Sequence, residues 1–393
     1  MGFLFTLQKK ERIVAIFDIG SGSVGGAIVI IPNDGRGVPI ITKSTRFDIK
    51  TRNDFNFDVF MKDMNVALNG TANYLYNQKI GAPDEIVCIM ASPWYLSETR
   101  VIKLAREKSF IFTKRLASEL IEKEISDLTE TYKTKYGNLN STPEVIEQNT
   151  MAISLNGYAV DDPLGKKCHS LEMNMVISLS PKSCLEGLRE TLSKTFHNTK
   201  VSFASFTVAT YLAIRDKYID QDSYLLIDIS GEITDVGIVT RGVLKASLSF
   251  PFGKKTFFNY ICTKLEIELR DAKELFKLYS ENNLSVEFKK KVEPIFKSIE
   301  SSWAEAFSQC ISTLPHTLIL PSVIFLTADN DIKVWFSDAM RNEEYMKSIV
   351  SDHTCTIVTL DGPEFLHMCD VKEGTCDPFL MVEAIAVMRK MGK

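Results

Sequence analysis

The stretch Ile13-Val-Ala-Ile-Phe17-Asp18-Ile19-Gly20-Ser21-Gly22-Ser23 decides how the whole chain is read. Its first half is an apolar, β-prone run and its second half is a Gly/Ser turn, with Asp18 where one gives way to the other. A second apolar run, Val24 to Ile31, follows and stops at Pro32-Asn-Asp-Gly35. Two such runs around a short turn predict a β-hairpin. Small residues at its tip let backbone N–H groups and hydroxyls come close to phosphate oxygens.

The same grammar returns further on. Tyr224-Leu-Leu-Ile227 leads to Asp228-Ile-Ser230-Gly231, then Glu232-Ile-Thr234-Asp235, then Val236-Gly-Ile-Val239 and the turn Arg241-Gly242. A repeated strand–Asp–turn–strand unit predicts a duplicated, two-lobe α/β protein. Facing hairpins, one per lobe, are expected to clamp the β- and γ-phosphates of a nucleotide between them. Asp18 and Asp228 would reach a Mg²⁺ through water, because magnesium keeps several of its waters. Thr234 and Asp235 would add a hydroxyl and a carboxylate near the γ-phosphate.

Around the hairpins, helical spacing of apolar residues predicts helices over 60–78, 113–132, 183–196 and 206–218, an almost wholly helical block from Lys254 to Leu314, and a closing helix Met381–Met391 after Asp377-Pro378. Between Asp84 and Ser170 the pattern changes to a strand at Glu85–Ala91, a loop, the charged helix, and a strand pair at Val145–Ala159. This block reads as a small inserted α+β domain.

These residues resemble the actin-like ATPase superfamily. The first hairpin is similar to its phosphate-1 motif and the second to its phosphate-2 motif. The finer resemblance is to the bacterial division protein FtsA and, less closely, its pilus relative PilM. It rests on Asn156-Gly-Tyr-Ala-Val-Asp-Asp162-Pro163-Leu-Gly165 with Leu171-Glu172, on Phe250-Pro-Phe-Gly253, and on Asp377-Pro378 through Ala386. The resemblance implies a ribonuclease H-like duplicated fold with an inserted SHS2/1C-type subdomain. The expected parts are a 1A-like first lobe (1–83, 171–198, 362–393), the insert (84–170), a 2A-like second lobe (199–254, 320–361) and a helical 2B-like subdomain (255–319). It implies ATP and Mg²⁺ as cofactors, with Asp18, Gly20, Ser21, Gly22, Ser23, Asp228, Ser230, Gly231, Thr234, Asp235, Thr327 and Ala328 as nucleotide contacts and Asp18 and Asp228 toward the metal. It also implies a scaffold that polymerises with itself at the cytoplasmic face of the membrane, with a tubulin-like division protein bound through 255–319. A PilM-like pilus-assembly protein, binding a membrane-protein peptide in the insert, is the alternative.

Three departures from the family pattern predict a weak ATPase at most. Val24-Gly25-Gly26 carries no lysine after the first turn, which removes a charge-stabilising phosphate contact. Glu232 stands in the second turn where a glycine is usual. The adenosine strand Ile324-Phe-Leu326 leads to Thr327-Ala328-Asp329-Asn330 in place of three glycines. A sugar kinase of the same fold would need a catalytic Asp beside a substrate pocket, and no motif supplies one.

Composition sets outer bounds. The net charge of −4 offers no footprint for nucleic acid. No apolar run is long enough to cross a bilayer, and Met1–Leu7 is too short for a signal peptide, which predicts a cytoplasmic protein. The apolar start with Gln8-Lys9-Lys10-Glu11-Arg12 fits both a membrane-surface segment at 1–12 and a frayed leader. An FtsA-type C-terminal anchor is expected to be absent or reduced to Met388–Lys393. Eight cysteines without a C-x-x-C pair predict free thiols. The patch His353, Cys355, His367, Cys369, Cys376 lacks zinc-knuckle spacing.

Overall fold

The computed structural model describes residues 11–33, 37–50, 56–136, 141–197, 199–315, 318–341, 355–374 and 376–391. The chain divides into two compact units, Met1–Ala91 with Cys184–Tyr218 and Leu360–Lys393, and Ser92–Ser183 with Ile219–Thr359.

In the first unit, β1 (Glu11–Ile19) pairs antiparallel with β2 (Ser23–Pro32), and β2 with β3 (Ile40–Asp48). On its other side β1 pairs in parallel with β4 (Glu85–Met90), and β4 with β9 (Val201–Ser205). With β15 (Asp370–Val371) at the far edge, the sheet order is β15-β3-β2-β1-β4-β9. Interior strands covered on both faces lose the polar alternation, which is why Val14 to Ile19 are all buried. Helix α1 (Phe57–Asn77) packs on β2 and β3, and its N-cap Asn56 accepts from the Val59 N–H. Helix α3 (Lys182–Ser193) meets α1 through a Thr191–Asn65 hydrogen bond. Helix α4 (Phe206–Lys217) and the closing helix α9 (Pro378–Met391) pack together, α9 also against β1 and β2.

The second unit holds two sheets. One is five-stranded, β12 (Val243–Phe250), β11 (Thr234–Thr240), β10 (Tyr224–Ile229), β13 (Val323–Ala328) and β14 (Thr356–Thr359), in that order. Helices α5 (Lys254–Leu265), α6 (Leu269–Ser280), α7 (Val286–Ile311) and α8 (Asn330–Arg341) share a core with it. That core is rich in aromatics: Phe257 meets the edge of Phe276 at 4.8 Å, and Trp303 stacks on Phe307 at 5.4 Å. The other sheet is antiparallel, β5 (Leu96–Ile111), β8 (Lys167–Pro181), β6 (Pro143–Leu155) and β7 (Tyr158–Ala159), with α2 (Lys114–Tyr136) on it. The Thr99 hydroxyl donates to the Lys245 carbonyl, tying β5 to β12.

The small α+β block is therefore present, with different edges from those expected at 84 and 170. Strand β4 is a central strand of the first sheet, and β8 runs unbroken to Pro181 inside the insert's own sheet. Strand β9 and helix α4, expected in the second lobe, extend the first sheet and its helical cover. Strand β5 occupies what reads as a loop: as an edge strand it leaves Arg106, Glu107 and Lys108 exposed, which hides its period. Among the described residues no helix is long and apolar enough to cross a membrane. The segment 1–10 and His353, on which the membrane-surface and zinc readings partly rest, lie outside the described residues.

Candidate functional site

The duplication is visible at atomic level. In the first hairpin Asp18 sits opposite Gly25, and the Gly20 N–H donates to the Ser23 carbonyl at 3.1 Å. In the second, Asp228 sits opposite Asp235, and the Ser230 N–H donates to the Ile233 carbonyl at 3.0 Å. Both turns are the same four-residue closure, placed two residues after the aspartate. Gly20 is needed for it, since a Cβ there would stand 2.9 Å from the Ser23 carbonyl oxygen.

Cross-strand partners share a face, so each aspartate belongs to a row running across its sheet. In the second unit that row is Thr327, Asp228, Asp235 and Ser249 on β13, β10, β11 and β12. The Thr327 hydroxyl donates to Asp228 Oδ1 at 2.6 Å. Asp235 accepts from the Ser92 hydroxyl at 2.7 Å and the Ser92 N–H at 3.3 Å. Burial pushes the Asp235 carboxyl up to about 6, against the lowering effect of the two Ser92 donors. A cavity of about 630 Å³ lies beside it, with Ser92, Asp235, Lys245 and Ser249 in its wall.

Two expected contacts turn out to face the other way. Thr234 precedes Asp235 on β11 and so points into the core, fully buried. Its hydroxyl donates to the Phe252 carbonyl and accepts from the Trp303 indole N–H at 3.5 Å. Ala328, one residue after Thr327, likewise packs into the aromatic core. Alternation along a strand allows only one of each adjacent pair to join the row.

The start of α5 holds the second turn in place. The Lys254 and Lys255 N–H groups donate to the Ser230 and Gly231 carbonyls at 2.9 and 2.8 Å. Gly253 lies so close that a Cβ would stand 2.6 Å from the Ser230 carbonyl oxygen. Lys255 pairs with Glu232 at 2.9 Å, so the charge that departs from the family pattern is neutralised inside the unit. Lys254 pairs with Asp329 and Asp331, both at 2.8 Å, and joins the adenosine-type loop to the phosphate-type turn. Burial works against the charge on Lys254, and the two carboxylates more than reverse it, raising its pKa.

Beyond that loop, a cavity of about 710 Å³ opens between α5, α6 and the start of α8. Phe258 and Leu269 supply apolar wall, Arg270, Lys273 and Lys277 supply positive charge, and Glu274, Glu281 and Asp331 supply negative charge. This size suits a small-molecule ligand. Sequence pattern alone did not single out these three basic residues or the lysines of α5. Their signal was available: positions 270, 273 and 277 fall on one face of a helix.

In the first unit the row runs Ile89, Asp18, Gly25 and Arg46 on β4, β1, β2 and β3. Arg46 Nη2 lies 2.7 Å from Asp18 Oδ2 and 2.9 Å from Asp377 Oδ2, and Nη1 donates to the Ser23 hydroxyl at 2.9 Å. Burial opposes the guanidinium charge, but Asp18 and Asp377 hold its pKa above even arginine's ordinary value. Asp18 is only 4% exposed.

The donor sets treat magnesium differently. In the second unit the carboxylate and hydroxyl oxygens around Asp228 suit a hard, oxygen-seeking cation. In the first, Asp18 faces the half-buried guanidinium of Arg46, and a metal ion does not fit there. Among the described residues no group of three or more His, Cys, Asp or Glu side chains could hold a metal by itself.

No protein-family model matches this chain, and no curated protein matches it in sequence. Solved structures do. The protein of the PilM–PilN type IV pilus biogenesis complex is 10% identical over 96% of this chain and 98% of that one, with a TM-score of 0.62. The ethanolamine utilization protein EutJ from Carboxydothermus hydrogenoformans is 10% identical over 97% and 90%, with a TM-score of 0.43. Component A of (R)-2-hydroxyglutaryl-CoA dehydratase from Acidaminococcus fermentans is 10% identical over 97% and 100%, at 0.42. Together with the duplicated hairpins, the likeness over nearly the full length of both chains shows that this protein has the two-lobe actin-like ATPase fold.

Proposed function

We propose that this protein is an ATP-binding scaffold for a membrane-associated assembly, with weak ATP hydrolysis at most. One observation carries the reading: the second unit fastens its phosphate-type turn, through Lys254, to a cavity of ligand size whose wall combines apolar side chains with charges of both signs. Phe258 and Leu269 would take the base, and Lys273 and Lys277 would offset phosphate or ribose polarity. Asp228 would hold Mg²⁺ through water, and that ion would supply charge neutralisation at the phosphates. A phosphotransferase finds less support, since Asp235, the acid beside the other cavity, is held by Ser92.

The finer role has two forms. The FtsA form rests on the motif order in the sequence and calls for self-polymerisation, contact with a tubulin-like division protein through 255–319, and attachment to the inner membrane face through 1–12. The pilus-assembly form draws support from the full-length likeness to the PilM–PilN structure and calls for a peptide partner from a membrane protein.

Calorimetry with ATP and Mg²⁺ tests the common reading. The wild type should bind, and both Asp228→Asn and Lys273→Ala/Lys277→Ala should weaken binding by about tenfold or more, the equivalent of about 1.4 kcal/mol. Asparagine can still accept from Thr327, so the first variant keeps its local hydrogen bond. Absence of heat at millimolar ATP would remove the nucleotide from the proposal.

A further inference from the structure

The same hairpin, present twice, carries opposite charge arrangements in its two copies. Where the second unit has Asp235 beside its aspartate and Ser249 beyond, the first has Gly25 and then Arg46. Gly25 makes the difference possible. A Cβ at that position would stand 2.7 Å from Arg46 Nη2 and 2.9 Å from Cζ, so the guanidinium lies across the bare backbone of β2. From there it reaches Asp18 on β1, Ser23 in the turn and Asp377 at the start of α9. Asp377 in turn caps α9, accepting from the Phe379 and Leu380 N–H groups at 3.0 and 3.3 Å. The Phe379 ring lies 5.2 Å from Arg46 Cζ.

We infer that Arg46 is the resident cation of the first hairpin, in place of a divalent metal, and that Asp18 is a positioning residue fastening the turn to α9. A metal ion at Asp18 would have to displace a half-buried guanidinium shared by two carboxylates and leave it with Asp377 alone. Breaking a buried, hydrogen-bonded ion pair by removing one partner is strongly unfavourable. Magnesium also sheds its waters reluctantly, and Asp18 has little exposed surface to offer a hydrated ion. The two hairpins have thus diverged: one keeps an oxygen-rich row, and the other is closed by a charge built into β3.

The test uses Mn²⁺ alone, a paramagnetic substitute for Mg²⁺, on the full chain without nucleotide, so its result does not depend on whether ATP binds. In Asp228→Asn, which removes the cation site proposed for the second unit, the amide signals of residues 20–26 should stay sharp as Mn²⁺ is added. Selective broadening of those signals would overturn the inference. The Mn²⁺ titration of Asp18→Asn should superimpose on that of the wild type, and a tenfold loss of affinity would also overturn it. In Arg46→Gln on the Asp228→Asn background, Asp18 and Asp377 face each other without their cation, and the same signals should now broaden. If they stay sharp in that folded chain, Arg46 is not what excludes the metal and the inference falls. Should the Arg46→Gln chain fail to fold, the Asp228→Asn spectra and the Asp18→Asn titration still decide.

Discussion

Asp235 is a carboxyl whose burial outweighs the help of two hydrogen-bond donors, and its titration makes a prediction at the scale of one residue. With its folded-state pKa raised to about 6, the folded chain holds a proton that the unfolded chain releases near the ordinary carboxyl range. The stability this group contributes is complete below the unfolded value and disappears as pH rises through about 6. The difference amounts to roughly 3 kcal/mol. Asp235→Asn should therefore gain on the wild type in urea-unfolding free energy between pH 4.5 and 7, and a constant gap across that range would contradict the argument. Thr234, on the opposite face of β11, gives a second prediction. Thr234→Val leaves the Phe252 carbonyl and the Trp303 indole without a partner, which should cost about 1–3 kcal/mol. Because its hydroxyl faces the core, ATP affinity should not change, and calorimetry beside urea unfolding separates the two effects.

At the scale of elements, the contact that counts is the one between a turn and a helix start. Gly253 lets α5 begin against the carbonyls of Ser230 and Gly231. Gly253→Ala puts a methyl into backbone that has no flexible side chain to move aside, so the turn and helix must separate. We expect a loss of about 1–3 kcal/mol, the range for overpacking a tight contact, together with weaker ATP binding. Thermal unfolding beside ATP calorimetry checks both. A stable variant with unchanged affinity would show that the turn tolerates displacement. The hairpins were legible in the sequence at this scale because a strand–turn–strand unit is local, and every residue that specifies it lies within a few positions. Strand β5 was not legible: among the described residues it pairs with β8 alone, and its charged side chains blur the alternation that marks a half-buried strand.

For the whole molecule, the two finer readings differ in what the protein does with copies of itself. The FtsA form predicts that ATP with Mg²⁺ drives sedimentable assemblies, and that these collect on vesicles. The pilus form predicts an unchanged sedimentation profile and capture of a peptide from a membrane protein. Analytical sedimentation with and without ATP, then with vesicles, distinguishes them. Growth in mass that requires ATP favours the first, and ATP binding without it favours the second. The duplication was readable at this scale because both hairpins carry the same strand–Asp–turn–strand order, whereas the edges of the inserted block were not. Strand β4 falls by position at the start of the block expected at 84–170 and by pairing in the first sheet, and only long-range pairing reveals that.

The sequence by itself determined the two-lobe fold and the places of Asp18 and Asp228, because apolar period, turn chemistry and repetition are properties of short stretches. It also contained, unread, the alternation that sends Thr234 and Ala328 into the core. What the tertiary structure alone decided is which charges meet. Arg46 reaches Asp18 because strand register sets them in one row and Gly25 between them lacks a side chain. Lys254 joins two loops because α5 starts where both end. Such pairings span strands and helices far apart in the chain, and their energy depends on burial and distance, which no local pattern encodes.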